Sequence, residues 1–281
     1  MLVDKPCGWT SHDVVAVVRK RLGVRGVGHA GTLDPFATGL LVVLVGRATR
    51  LAQFVAGLRK RYRATVRFGT ATDTDDSTGR VTQSHAVGRW PARAEIDRAV
   101  ASFVGGYRQR PPAYSAKHVA GKRSHALARQ GRAVDLAPVP VAVDDIAVLE
   151  WTPPDLTIEA TVGKGTYLRA LARDVGERVG MPAHCAALRR EAIGPWTVAA
   201  ARHPGEVTAA DLLPPAAMLP DLSREVIGDA ERRDVAFGRT ISQREHSDAT
   251  GALLASDGHL VAVARGRAGQ WHPLVVLEAA P

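Results

Sequence analysis

The stretch that most limits what this chain can become is Gly28-His29-Ala30-Gly31-Thr32-Leu33-Asp34-Pro35-Phe36-Ala37-Thr38-Gly39, followed at once by Leu40-Leu41-Val42-Val43-Leu44-Val45. Three glycines, a proline and two threonines make the first part a shaped loop. The second part has no polar alternation, so it reads as a strand covered on both faces. Asp34 is the single acidic residue of the loop, and Pro35 biases it away from the helical region toward an extended or turn backbone. With no partner acid, metal ligand or Ser/His triad beside it in sequence, this carboxylate reads either as a capping or turn residue or as a nucleophile.

At 281 residues the chain can hold one large domain, or a large and a small one. Its 46% hydrophobic and 23% charged residues are those of a soluble globular protein. No apolar stretch approaches the roughly 18 residues needed to span a bilayer. Asp4 and Lys5 fall where a signal peptide would carry its apolar core, which points to the cytoplasm and away from membranes. Cys7 and Cys185 are far apart and form no CxxC pair, so they read as free thiols in a reducing compartment, with no metal site.

The formal charge of +9 is unevenly spread. Residues 222–281 hold seven Arg and no Lys against eight carboxylates, which leaves residues 1–221 with 30 basic against 20 acidic side chains. The basic part contains Asp34 and points to a polyanionic partner, most simply a nucleic acid.

Along the chain, Leu2 and Val3 end a strand, and Ser11 is the expected cap of a helix over 11–22 with Val14, Val15, Val18 and Leu22 on one face. A short helix is expected over 49–57. Residues 60–68 alternate, with Tyr62, Ala64, Val66 and Phe68 on one side and Arg61, Arg63, Thr65 and Arg67 on the other, the arginines reading as a solvated face. The three carboxylates of 72–79 lack the longer ligand frame of a Ca²⁺ loop and read as a solvent loop or a cap. A helix over 94–104 leads to a basic and aromatic segment, 107–125, of the composition that grips phosphates and stacks on bases. Strands over 139–151 and 156–162 are followed by Gly163 to Arg169, which lead into a helix to about Val179. Prolines 214, 215 and 220 read as a linker to a small β-rich module.

Taken together, these segments resemble the TruB family of tRNA pseudouridine synthases over essentially the whole chain. The resemblance rests on Asp4-Lys5-Pro6 with Gly8 and Thr10-Ser11, the loop from Gly28-His29 through Gly31-Thr32-Leu33-Asp34-Pro35 to Ala37-Thr38-Gly39, Lys60-Arg61-Tyr62, and Phe68-Gly69 with Thr72-Asp73-Thr74-Asp75 and Gly79. Pro111-Pro112 with Tyr114-Ser115-Ala116, Gly165-Thr166-Tyr167-Leu168-Arg169 and Leu188-Arg189-Arg190 continue it in the same order. The implied fold is α+β, a mixed and largely antiparallel sheet flanked by helices over 1–221, with a PUA-like RNA-binding module over 222–281.

The resemblance implies isomerisation of uridine 55 to pseudouridine in the TΨC stem-loop of tRNA, by a monomer that needs no cofactor, metal or protein partner. Asp34 matches the catalytic aspartate, and whether it attacks the ring, attacks the sugar or acts as a base stays open. Arg169 matches the arginine that pairs with it, an ion pair that favours the charged carboxylate. Tyr62, otherwise a core tyrosine, matches the ring that stacks on the flipped uracil. His29 matches the residue that enters the RNA loop where the base has left, and Tyr167 and Leu188 match pocket-lining positions. Lys5 either supports the loop, meets a phosphate or makes a plain salt bridge. Departures from the family pattern fall at Lys117, His118 and His125, and at Val162-Gly163. Rival readings are a tRNA-folding chaperone without catalysis and a guide-dependent RNA pseudouridine synthase.

Overall fold

The computed structural model describes residues 1–86, 88–114, 118–119, 122–123 and 136–278, with backbone alone for the two dipeptides. Its larger sheet contains β1 (Leu2–Lys5), β2 (Val27–His29), β3 (Thr38–Val45), β4 (Lys60–Phe68), β5 (Val143–Thr152), β6 (Asp155–Val162), β7 (Ala183–Ile193) and β8 (Trp196–Thr197). They lie in the order β1-β3-β7-β4-β6-β5, with β2 on β3 and β8 on β7. Every pairing is antiparallel except β3 with β7, where Arg189 and Arg190 sit opposite Thr38 and Gly39. The sheet is mixed and largely antiparallel, as expected.

The apolar run becomes β3, and both of its faces are covered. Leu41 and Val43 join Val3 and the Val14, Val15 and Val18 stripe of α1 (Ser11–Leu22). Leu40, Val42 and Leu44 join Leu51 and Val55, the latter on α2 (Ala52–Gly57), together with Ala252, Leu254, Val263 and Val275 near the end of the chain. The alternation of β4 is equally literal: Tyr62, Ala64, Val66 and Phe68 are buried, in a cluster with Ile96 and Val100 of α3 (Arg93–Ala101) and Leu171 and Val175 of α4 (Leu168–Arg178).

The cap of α1 is Thr10, not Ser11. Thr10 Oγ1 accepts from the Asp13 N–H at 3.1 Å, and Asp13 answers with a bond from the Thr10 N–H at 2.8 Å. Ser11 faces inward instead. Its hydroxyl donates to the Leu33 carbonyl at 3.2 Å and accepts from the Leu33 N–H at 2.9 Å, which ties the start of α1 to the loop that carries Asp34.

A second sheet of five strands, in the order Ser223–Val226, Thr250–Leu254, Leu260–Arg267, Gln270–Val276 and Ile241–Ser242, is accompanied by α5 (Asp229–Ala236). The expected linker is not a free tether. Pro215–Met218 forms a 3-10 turn, and Met218 and Leu219 are buried in the apolar cluster shared by β3 and the second sheet. The prolines stiffen this segment, but its aliphatic neighbours give it something to bury. Among the described residues no helix is long and apolar enough to cross a membrane. Both cysteines are free, Cys7 exposed and Cys185 buried. Of the departures noted above, Lys117 and His125 lie outside the described residues, and His118 belongs to a two-residue strand paired with Lys122–Arg123.

Candidate active site

Two buried cations hold the loop between β2 and β3. Arg190 on β7, only 1% exposed, donates from Nε to the Leu40 carbonyl at 2.7 Å and from Nη2 to that of Gly31 at 3.1 Å. Its Nη1 faces the Thr32 carbonyl and the Tyr62 hydroxyl, both at 3.4 Å. Gly39 has a φ of +106°, and a Cβ there would collide with the Arg190 backbone, so this close strand crossing requires glycine. From the other side, Lys5 is fully buried and donates to the carbonyls of Pro6 (2.9 Å), Trp9 (2.8 Å) and Pro35 (3.3 Å). All three of these acceptors are backbone carbonyls, one of them within the Asp34 loop. Burial pulls the Lys5 pKa below its usual value.

Asp34 stands at the top of this loop with its side chain 34% exposed, while its partner Arg169 is 3% exposed. The guanidinium grips the carboxylate with two bonds, Nε to Oδ2 at 2.8 Å and Nη2 to Oδ1 at 3.2 Å, the fork geometry in which arginine fixes orientation as well as charge. The remaining donors are used inside. Nη1 donates to the Thr74 carbonyl at 2.7 Å and lies 3.6 Å from Asp76 Oδ2, and Nη2 also donates to the Tyr114 carbonyl at 2.9 Å.

Asp76 corrects the solvent-loop reading of 72–79. It is 5% exposed, and its Oδ1 accepts from the Thr74 hydroxyl (2.8 Å), the Thr78 hydroxyl (2.6 Å) and the Thr78 N–H (2.9 Å). The loop is pinned to β7, because Cys185 N–H donates to the Asp75 carbonyl and Ser77 N–H to that of Cys185. Asp75, at φ +59°, meets Arg173 at 2.8 Å, and burial raises its pKa. A run of Thr and Asp looks solvated in sequence. Here it is the inner wall behind Arg169.

Tyr62 is 8% exposed and shares its apolar cluster with Leu33, Ala37 and Leu188, with Phe36 packed against it. The ring is a core residue in the same cluster as side chains of the Asp34 loop, and its hydroxyl accepts from Arg190. Leu188 on β7 is 7% exposed. Tyr167 is half-buried at the cap position of α4, two residues before Arg169. His29, at the end of β2, is half-buried, and its Nδ1 is enclosed without a hydrogen-bond partner. Burial, then the nearby Arg190 and His12, lower its pKa and favour the neutral imidazole. The histidine is therefore not satisfied inside its own loop.

Sequence reasoning assigned no role to Arg190, Asp76 or Gln109. Arg190 belongs to the Leu188-Arg189-Arg190 motif, where its signal is a charged residue at a core position of a strand. Gln109 is fully buried, and its amide holds the backbone of Tyr167 on both sides, accepting from the N–H at 2.8 Å and donating to the carbonyl at 3.1 Å.

Charge pairing divides the arginines into two populations. On the outer face of β4, Arg61 and Arg63 lie 3.3–3.9 Å from Glu159 and Glu191, and Arg67 meets Asp155 at 2.7 Å. That face is neutralised. Arg19, Lys20, Arg21 and Arg25 around the end of α1, with Arg47 and Arg50 after β3, have no carboxylate partner among the described residues. Four of them are fixed by backbone carbonyls instead: Arg19 by Arg25 and Val27, Arg21 by Val207, Arg47 by Leu277 and Arg50 by Val276. Their charge remains available to an anion.

Residues 19–168 match the TruB family pseudouridylate synthase (N terminal domain). The chain is 41% identical over 290 residues to tRNA pseudouridine synthase B of Thermobifida fusca, covering 98% of this chain and 97% of the relative. It is 40% identical over 297 residues to the protein of the same name from an Arthrobacter species, covering 98% and 95%. In fold it is similar to Cbf5 in the archaeal box H/ACA sRNP Nop10-Cbf5 complex, with a TM-score of 0.74 at 22% identity over 99% of this chain and 86% of that one. The Cbf5-Nop10-Gar1 complex gives 0.75 at 23% identity, over 99% and 85%. With a family match over more than half its length and near-complete relatives at about two residues in five, the chain belongs to the TruB family of pseudouridylate synthases.

Proposed function

We propose that this chain is a tRNA pseudouridine synthase, an isomerase that converts uridine 55 of the TΨC arm to pseudouridine. The observation that carries the reading is the Asp34–Arg169 pair: a partly exposed carboxylate, oriented by a buried guanidinium, on a loop held by two further buried cations. The naming of full-length relatives as tRNA pseudouridine synthase B supports the RNA class. In the reaction the N1–C1′ bond of uridine breaks, the uracil turns, a C5–C1′ bond forms, and the C5 proton is lost as N1 gains one. No atom is added and no electron is transferred, so the residues need only position, stabilise and move a proton.

A stacked uridine is out of reach, and flipping it costs about a few kcal/mol. His29, flat and with Nδ1 unsatisfied, fills the vacated place. Asp34 acts on the extruded nucleoside as nucleophile or base. Tyr62 and Leu188 face the uracil, and Tyr167 closes the pocket beside Arg169. Residues 1–221 form the catalytic domain and 222–281 a PUA-like RNA-binding domain, in a cytoplasmic monomer that uses neither cofactor nor metal.

The test is to incubate the purified chain with an unmodified tRNA transcript and map the product. Pseudouridine at position 55 without added protein or guide RNA is the expected result. Absence of product, modification elsewhere, or dependence on a guide RNA overturns the reading.

A further inference from the structure

α4 begins without a side-chain cap. Tyr167, its cap residue, makes no side-chain bond to the first-turn N–H groups, and its carbonyl accepts the first intrahelical bond, from the Leu171 N–H at 3.0 Å. Gln109, from a strand 58 residues earlier, adds a hold on the same peptide groups from outside the helix. A primary amide can accept from a peptide N–H through its oxygen and donate to a peptide carbonyl through its nitrogen at once, as a neighbouring strand does. The Gln109 side chain does this to Tyr167 while fully buried.

The amide is itself held. Its Nε2 also donates to the Tyr107 hydroxyl at 2.6 Å, and that hydroxyl donates to Asp174 Oδ2 at 2.8 Å. Burial, and then the neighbouring Asp174, raise the Tyr107 pKa, so the phenol stays a donor. Asp174 Oδ1 accepts from Arg173, and Arg173 reaches Asp75 Oδ2 and the Arg110 carbonyl, each at 2.8 Å. Asp75 adjoins Thr74 and Asp76, which face Arg169. The contacts close into a circuit around the first turns of α4, from Tyr167 through Gln109, Tyr107, Asp174, Arg173 and Asp75 back to Arg169.

From this circuit we infer that Gln109 is a positioning residue for the pseudouridine-forming reaction: its amide fixes the backbone of Tyr167 and thereby the direction in which α4 presents Arg169 to Asp34. The inference rests on the reading of Asp34 and Arg169 as the reacting pair. Gln109 touches neither of them and is fully buried, out of reach of RNA; it holds the Tyr167 backbone and leaves the Tyr167 side chain in place, so its effect falls mainly on the chemical step. Misplacement of a reacting group by about 1 Å costs on the order of 10²-fold in rate.

The experiment compares the full-length chain with Gln109→Leu, Tyr107→Phe and the double variant, on unmodified tRNA transcript. Single-turnover rate at saturating enzyme, tRNA Kd and thermal midpoint are measured for each. Expected for Gln109→Leu is a rate loss of about 10²-fold with Kd within about threefold of the parent. Tyr107→Phe keeps the Gln109–Tyr167 bonds and loses less in the same parameter, and the double variant is no slower than Gln109→Leu alone, because both act through one circuit. A folded Gln109→Leu chain at parental rate, or a loss confined to Kd, overturns the assignment. If Gln109→Leu does not fold, Tyr107→Phe decides, and an unchanged rate there overturns it. No product from the parent chain removes the functional reading and this inference with it, whereas an active Gln109→Leu removes only the inference.

Discussion

Asp76 stands 3.6 Å from the Nη1 of Arg169, while Asp34 takes the opposite Nε and Nη2 edge of the same guanidinium. One cation therefore lies between an inner carboxylate that is buried and an outer one that is partly open. The inner acid and the Thr74 carbonyl set the plane of the guanidinium, and the outer acid takes its orientation from that plane. Changing Asp76 to Asn keeps one oxygen for the Thr74 and Thr78 donors but removes the charge that faces the enclosed arginine and puts an amide N–H₂ against a guanidinium N–H₂ in place of Oδ2. The expected outcome is a stability loss of about 1–3 kcal/mol by urea denaturation and a slower single-turnover rate, with tRNA affinity retained.

Asp34→Asn keeps the size of the side chain and removes its basicity. It is expected to bind tRNA like the parent and to form no pseudouridine, checked by filter binding and by product mapping on the same preparation. Normal product from this variant would refute the role given to Asp34.

Arg190 satisfies carbonyls at both ends of the loop from within the core. In Arg190→Met those acceptors lose their donor, and the expected cost is about 3 kcal/mol in unfolding free energy. The loop that carries Asp34 should exchange its amide hydrogens faster in the variant, which mass-detected hydrogen exchange reads directly.

Lys60, enclosed at the start of β4 and donating to the carbonyls of Ala56 and Leu58, has its pKa lowered from 10.5 to about 8, first by burial and then by Arg190, Lys164 and Arg59. The unfolded chain binds this proton more tightly than the folded one. Below pH 8 the group is charged in both states and its full penalty applies. Between about pH 8 and 10.5 the folded lysine sheds its proton first, so stability should rise with pH relative to Lys60→Met. The relative slope should reach at most about 1.4 kcal/mol per pH unit. Urea titrations of both proteins across that window test the sign.

Binding to tRNA should weaken with salt, and the two arginine populations should contribute unequally. Lys20→Gln and Arg25→Gln, both at exposed positions without a carboxylate partner, are each expected to flatten the plot of log K against log salt by about 0.7–0.9. Arg63→Gln, paired with Glu191, is expected to leave the slope unchanged.

Local pattern carried much of this into the sequence. The unbroken apolar run of 40–45 implies a strand with two covered faces, and the alternation of 60–68 gives the inner and outer sides of β4 residue by residue. The pairing of Asp34 with Arg169 came from the resemblance, since 135 residues separate them and no periodicity joins them. What stayed hidden was polar burial. Asp76, Gln109 and Arg190 carry the side chains that composition assigns to water, and their burial depends on carbonyls and hydroxyls delivered by distant segments. The arginine face of β4 is solvated as expected, with Arg61, Arg63 and Arg67 about half exposed, but its counter-charges arrive on β6 and β7 and could not be read locally. Ser11 lost the cap to Thr10 because the fold offered it Leu33, a partner that no local rule foresees.

The apolar cluster common to β3 and the second sheet has a practical consequence. Leu40, Val42 and Leu44 have their cover in residues such as Ala252, Leu254 and Val263. A version cut short before 222 would bare a greasy stripe directly behind the strand that leads out of the Asp34 loop. Such a fragment should clump on expression, so anyone seeking a minimal enzyme must keep the tail or repaint that stripe with polar side chains.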